Sequence, residues 1–295
     1  MSQVDRSALG IGLRLLSGLL GAGMFISVKA VSDAVPLGQI VFFRAFFSIL
    51  PLIFFLCLRA EFPNGLATQR PMAHLVRSGF GALALFTSFA AIARLNTSEA
   101  LLVAQLAPIL MALAAVLLLC ERLTPWRIAG LVLGFMGVIV LVWPEIWAGP
   151  SSIERFKRFT GFMIGLASAA LTALALIMVR NLNKTESPGA IALYFVIVSM
   201  IGGILTLPWG WIMPNGPTLL LLIAAGFFGG FLHIAMTLAF RYAEASRLAP
   251  FEYAALLWPL LADLFIFNLP LSAAFIYAAP LILLGAIVAA RERKR

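Results

Sequence analysis

Ten runs of mostly apolar residues follow one another along this 295-residue chain, near 8–31, 37–58, 74–94, 97–119, 125–143, 160–180, 188–208, 217–240, 247–268 and 271–290. An α-helix crosses the roughly 30 Å hydrocarbon layer of a bilayer in about 20 residues, and it satisfies its backbone N–H and C=O groups internally, which lipid cannot do. The runs have that length, and clusters of charge, proline and glycine separate them. The pattern therefore predicts an all-α integral membrane protein with ten transmembrane helices. Charged residues make up only 11% of the chain and apolar ones 62%. A soluble domain is about a quarter charged, so no water-soluble core would absorb this apolar surplus. The first run begins as a secretory signal would, but it is longer than a signal core and contains Arg14 and Lys29. It is expected to persist as the first helix.

The net charge of +9 would point to nucleic acid in a soluble protein. Here the basic residues sit in short gaps between apolar runs, where they orient helices, so nucleic acid is not an expected partner and the lipid bilayer is. With the N-terminus placed inside, fifteen Lys and Arg fall on the inner side. Five, namely Lys29, Arg94, Arg155, Lys157 and Arg158, fall outside, while Arg44 remains within a span. Both termini are thus expected in the cytoplasm. Three of the outer five belong to the amphipathic segment Ile153–Phe159, expected to lie along the membrane surface. Cys57 and Cys120 have no CxxC or Cys/His spacing, and no metal is expected.

The chain divides into a first half at 8–143, a linker at 144–159, a second half at 160–290 and a basic tail at 291–295. Residues 91–141 can be laid on 238–288 with Arg94 opposite Arg241, Leu101 opposite Leu248, Glu121 opposite Asn268 and Gly137 near Gly285. Lys29 similarly falls opposite Arg180, and Gly38 opposite Gly189. Five helices per half is an odd number, so the second half enters the membrane from the opposite side. Two inverted five-helix repeats are expected, an arrangement suited to alternating access around a midplane cavity.

The stretch from Leu95 to Val142 contains Thr97-Ser98-Glu99-Ala100, Pro108, the turn Glu121-Arg122-Leu123-Thr124-Pro125 and a glycine-punctuated helix. It resembles the EamA domain of the drug/metabolite transporter superfamily. Ala249-Pro250-Phe251-Glu252-Tyr253, Leu256-Leu257-Trp258 and Leu269-Pro270 are similar to the second EamA half. The family pattern has an acidic residue where this chain has Asn268. The resemblance implies a multi-pass protein of a bacterial inner (plasma) membrane. Within the superfamily the chain also looks like the YddG-type exporters of aromatic amino acids, which implies export of aromatic or other amino acids.

Polar groups at membrane depth cost about 2.5–3.5 kcal/mol on insertion scales unless they face protein or water, so each calls for a reason. Arg44, seven residues into the second span, reads as a guanidinium for a substrate carboxylate, or as a snorkelling or ion-paired arginine. His233, near the middle of the eighth span and opposite Phe86 in the repeat, reads as a substrate or proton group, or as a neutral imidazole bonded to a neighbouring helix. Pro108 and Pro259 fall near mid-span in the fourth and ninth runs, where a proline frees a carbonyl and interrupts the helix. Interruptions at matching places point to a site between them, although a bare kink is the alternative. Trp258 is the one tryptophan away from the helix ends; with Tyr253 and Phe86 it reads as an aromatic wall, or as packing. Gln105 suits a zwitterion. Glu252 and Asp263 read as protonatable coupling groups, or as partners of Arg241, Arg247 or Arg44. Glycines in the first helix (Gly18, Gly21, Gly23) and the fifth (Gly130, Gly134, Gly137) are expected to serve close helix packing.

No GxxxxGK[ST], HExxH or GxSxG occurs, and His74 and His233 lie far apart. ATP is therefore not the direct energy source, an enzyme acting on lipid or peptide is disfavoured, and no cofactor is expected. The expected function is a secondary transporter or facilitator of small amphiphilic metabolites. Another metabolite or a drug-like cation is the alternative cargo, and whether the protein is a monomer or a homo-oligomer stays open.

Overall fold

The computed structural model describes residues 7–59, 62–63, 66–119, 125–147, 153–182, 185–242 and 256–290. Among these residues every α or 3-10 element is helical and none is a strand: α1 (Ser7–Val31), α2 (Leu37–Leu58), α3 (Pro71–Ile92), α4 (Thr97–Ala104), α5 (Ala107–Leu119), α6 (Pro125–Trp147), α7 (Ile153–Leu182), α8 (Pro188–Ile204), α9 (Gly216–Tyr242), α10 (Leu257–Phe265) and α11 (Ala273–Ala290). Each of the ten runs contains a helix, and the fourth contains two. Among the described residues six helices are long and apolar enough to cross a membrane.

Local chemistry sets several starts. Asn96 and Glu99 form a capping box on α4, and the Ser187 hydroxyl accepts from Ala190 N at the head of α8, with Pro188 next to it, where its missing N–H leaves no bond unmade. Large apolar side chains point outward: Leu50, Phe54 and Leu58 on α2, and Val132, Met136 and Ile139 on α6, are half or more exposed. Water would penalise such faces, whereas lipid is their natural solvent. Trp126, Trp143, Trp147 and Trp209 are also exposed, as interfacial anchoring requires. The protein is an all-α membrane protein.

The chain forms two compact units, residues 1–82 with 182–261 and residues 83–181 with 262–295. In the first, α9 packs on α1 and α2, and α2 also packs on α8. Gly23 admits the Phe228 ring, which a Cβ there would meet at 3.0 Å. In the second, α6 packs on α11 backbone to backbone. A Cβ on Gly285 would lie 2.7 Å from both Gly130 O and Gly134 N, the close approach that small residues permit where lipid offers no hydrophobic drive for association.

One segment differs from expectation. Ile153–Phe159 is not a separate surface helix but the opening of α7. Its Arg158 donates from Nε to Glu145 Oε1 (2.8 Å) and from Nη2 to Glu99 Oε1 (3.1 Å), which ties the segment to α6 and α4. Helix also reaches into both ends of the 144–159 linker.

Candidate substrate site

In the first unit, Arg44 of α2 is 2% exposed. Its Nε lies 3.5 Å from Met24 Sδ on α1, and its Nη2 lies 3.2 Å from His233 Nε2 on α9. Its Nη1 is buried without a hydrogen-bond partner. A guanidinium only donates, so His233 Nε2 must accept; the ring proton then sits on Nδ1 and the imidazole is neutral. Both readings of His233 keep a foothold, because it is bonded to a neighbouring helix and also faces a cleft.

The Arg44 guanidinium carbon stands 5.7 Å from the centre of the Phe195 ring on α8. On that same ring, Arg77 of α3 places its guanidinium carbon at 4.8 Å. The Arg77 Nη1 reaches Ile191 O at 3.5 Å, and its Nε is buried without a partner. Phe195 meets the His233 imidazole edge to face at 6.0 Å. Two guanidiniums thus converge on one aromatic ring, and among the described residues neither is paired with a carboxylate. Sequence reasoning singled out Arg44 and His233. It singled out neither Arg77, one of the fifteen basic residues counted on the inner side, nor Phe195.

Beside the cluster lies a small open cleft of about 20 Å³, lined by Leu52 and Phe55 of α2, Arg59 after it, Gly189 and Ala192 of α8, and His233 and Thr237 of α9. Its walls are mainly apolar and its polar groups few.

The second unit contains the interrupted fourth run. α4 stops at Ala104 and α5 starts at Ala107. Gln105 and Leu106 close the break with tight turns, their N–H groups donating to Leu102 O and Val103 O. Gln105 is half-buried. Pro108 is exposed and occupies the first turn of α5, where a missing N–H is tolerated. Phe86 is half-buried on α3. In the ninth run Pro259 is buried near the start of α10, while Trp258 is 37% exposed. Tyr253 and Glu252 lie outside the described residues.

Asp263 is fully buried. Its carboxylate accepts from the backbone N–H of Thr97 (Oδ1, 3.1 Å) and Ser98 (Oδ2, 2.7 Å), so it caps α4 with a charge placed where the helix dipole favours it. Glu99, also buried, accepts from Arg158 and, at 3.1 Å, from the Ser272 hydroxyl. This Glu99–Arg158–Glu145 network was not anticipated. Its one visible signal was the capping-box spacing of Asn96 and Glu99.

A helical membrane protein with a buried cationic cluster beside an apolar cleft has the build of a carrier for small molecules, and the comparisons with known proteins agree. The EamA-like transporter family matches residues 8–143, and solute carrier family 35 matches residues 86–291. The chain belongs to the drug/metabolite transporter superfamily, as an EamA-type member. It is a transporter of small molecules and not an enzyme. It is 28% identical over 233 residues to an S-adenosylmethionine uptake transporter of Rickettsia prowazekii, covering 78% of this chain and 74% of the relative. It is 29% identical over 254 residues to the pseudopaline exporter CntI of Pseudomonas aeruginosa, covering 83% and 82%. It is likewise 29% identical over 192 residues to a riboflavin transporter of Rhizobium johnstonii, covering 64% and 61%. A solved structure aligns over 98% of both chains with a TM-score of 0.66 at 21% identity, a likeness of fold alone.

Proposed function

We propose that this protein exports small amphiphilic metabolites bearing a carboxylate, aromatic or other amino acids among them, by alternating access around a midplane site centred on Arg44. The observation that carries this reading is the buried Arg44 guanidinium, bonded to a neutral imidazole and keeping an unsatisfied N–H. A buried cation without a carboxylate partner is costly, and a substrate carboxylate taking two parallel N–H bonds relieves that cost. Phe195 and the apolar cleft suit the rest of an amphiphile. The charge bias of the gaps supports cytoplasmic termini. Under that topology Arg59 and Gly189, which line the cleft, belong to the cytoplasmic ends of their spans.

The relatives named for S-adenosylmethionine, riboflavin and pseudopaline support a second cargo reading, another amphiphilic metabolite on the same scaffold. Flux from proteoliposomes, tested with a panel of amino acids, nucleosides and quaternary amines, separates the two. Saturable efflux that aromatic amino acids compete for and trans-stimulate is the expected result. If they neither bind nor move while other metabolites do, the amino acid reading fails.

A further inference from the structure

The cluster around Phe195 holds more positive charge than a single carboxylate would use. Resting on the function just proposed and narrowing its cargo, we infer that Arg44 and Arg77 are two halves of one anion site, which favours, among carboxylate-bearing amphiphiles, those with a second anionic group on a short carbon skeleton seated at Phe195.

Each guanidinium keeps a buried N–H without a partner, Nη1 of Arg44 and Nε of Arg77. Arg44 itself is 2% exposed. Each is therefore an unfilled donor, and each can take a carboxylate of its own. The two guanidinium carbons stand 5.7 and 4.8 Å from the centre of one ring, so they are no farther apart than these two distances added together, a gap that two carboxylates on a skeleton of a few carbons can bridge. Like charges this near repel by roughly 1–2 kcal/mol or more at the effective dielectric of a protein interior. A monoanion cancels one charge and leaves the other unanswered, whereas a dianion cancels both.

His233 adds to the donor surplus. With Nε2 committed to Arg44, it has only Nδ1–H left to offer, on a ring that lines the cleft. A site made of donors favours acceptor-rich anions over molecules with fewer acceptor oxygens.

The helices are also shaped to hold the cluster. A Cβ on Gly229 of α9 would lie 3.0 Å from Arg44 Nε and 3.1 Å from Met24 Sδ, and a Cβ on Gly81 of α3 would lie 3.0 Å from the Phe195 ring and 3.8 Å from Arg77 Nη1. Glycine at both positions leaves the space that the ring and the two guanidiniums occupy.

The test uses full-length protein and two probes of similar size, 2-phenylsuccinate with two carboxylates and 3-phenylpropionate with one. Binding is followed by thermal shift in detergent and transport by counterflow in proteoliposomes. We expect 2-phenylsuccinate to bind at least about tenfold more tightly, a difference of about 1.4 kcal/mol. Arg77→Gln should bring the ratio of the two affinities to near one. Arg77→Lys, which keeps the charge, should retain most of the preference and shows that the effect is not misfolding. Equal affinities in the unaltered protein, or a ratio that Arg77→Gln leaves unchanged, overturn the dianion site while 3-phenylpropionate transport still upholds the proposed function. If neither carboxylate binds while uncharged or cationic metabolites move, both readings fall.

Discussion

Arg44 shows how one buried charge organises its surroundings. The Arg44 guanidinium touches Met24, His233 and Phe195, side chains of three other helices. Replacing it with Gln removes the charge but keeps two donors, so substrate affinity should fall about tenfold or more, read as a raised KM in counterflow. Gly229→Ala should act in the same direction, by several-fold at most, because the new methyl meets the end of a flexible side chain that can shift. A second buried pair lies apart from this cluster. His74 is fully buried, with Nε2 3.2 Å from Glu186 Oε2 and its ring 4.5 Å from that of Tyr194. Glu186 lies between α7 and α8, and its hydrogen bond with His74, followed by one from Thr68, holds its carboxyl below the usual carboxylate range. A lowered folded value means that this contact contributes fully above the unfolded pKa of about 4.3 and is lost as pH falls through the folded value. Thermal stability in detergent should therefore drop on acidification more steeply for the unaltered protein than for Glu186→Gln. Equal slopes would refute the linkage.

At the scale of elements, two devices hold helices together. One is the glycine seam between α6 and α11, where Gly285 leaves no room for a methyl against the backbone of Gly130 and Gly134. Gly285→Ala should destabilise the protein by about 1–3 kcal/mol, because backbone, unlike a side-chain tip, cannot step aside; a lower Tm at unchanged expression is the measurement. The other is Asp263, whose carboxylate serves two N–H groups of α4 that are distant in sequence. Asp263→Ala leaves those buried donors unmet and should cost about 1–3 kcal/mol. Asp263→Asn keeps one acceptor and should lose less, a graded pattern that a proton-coupling role alone would not produce.

At the scale of the whole molecule, the expected topology puts both ends of the chain on the cytoplasmic side. Single cysteines introduced at residues 3 and 293 of a Cys57→Ser, Cys120→Ser background should both be protected from a membrane-impermeant thiol reagent in intact cells, and both should react after permeabilisation. Labelling of one end alone would overturn the even number of spans.

The ten spans were legible because a bilayer imposes a local rule: about 20 apolar residues in succession are read without knowing what packs beside them. The same locality pointed to an interruption of the fourth run near Pro108. Arg44 and His233 stood out for a related reason, since any polar group at membrane depth is anomalous wherever its partner lies. Which groups meet is another matter. Helix rotation and the choice of neighbours set Arg77 and Arg44 on one Phe195 ring, and they turn Asp263 to the head of α4 and Arg158 to Glu99. Those contacts join residues far apart in the chain, and no periodicity along a single helix encodes them. The sequence by itself determined that the chain crosses a membrane and where its costly polar groups fall; only tertiary packing decided which of those groups answer one another and which keep a buried N–H unmatched.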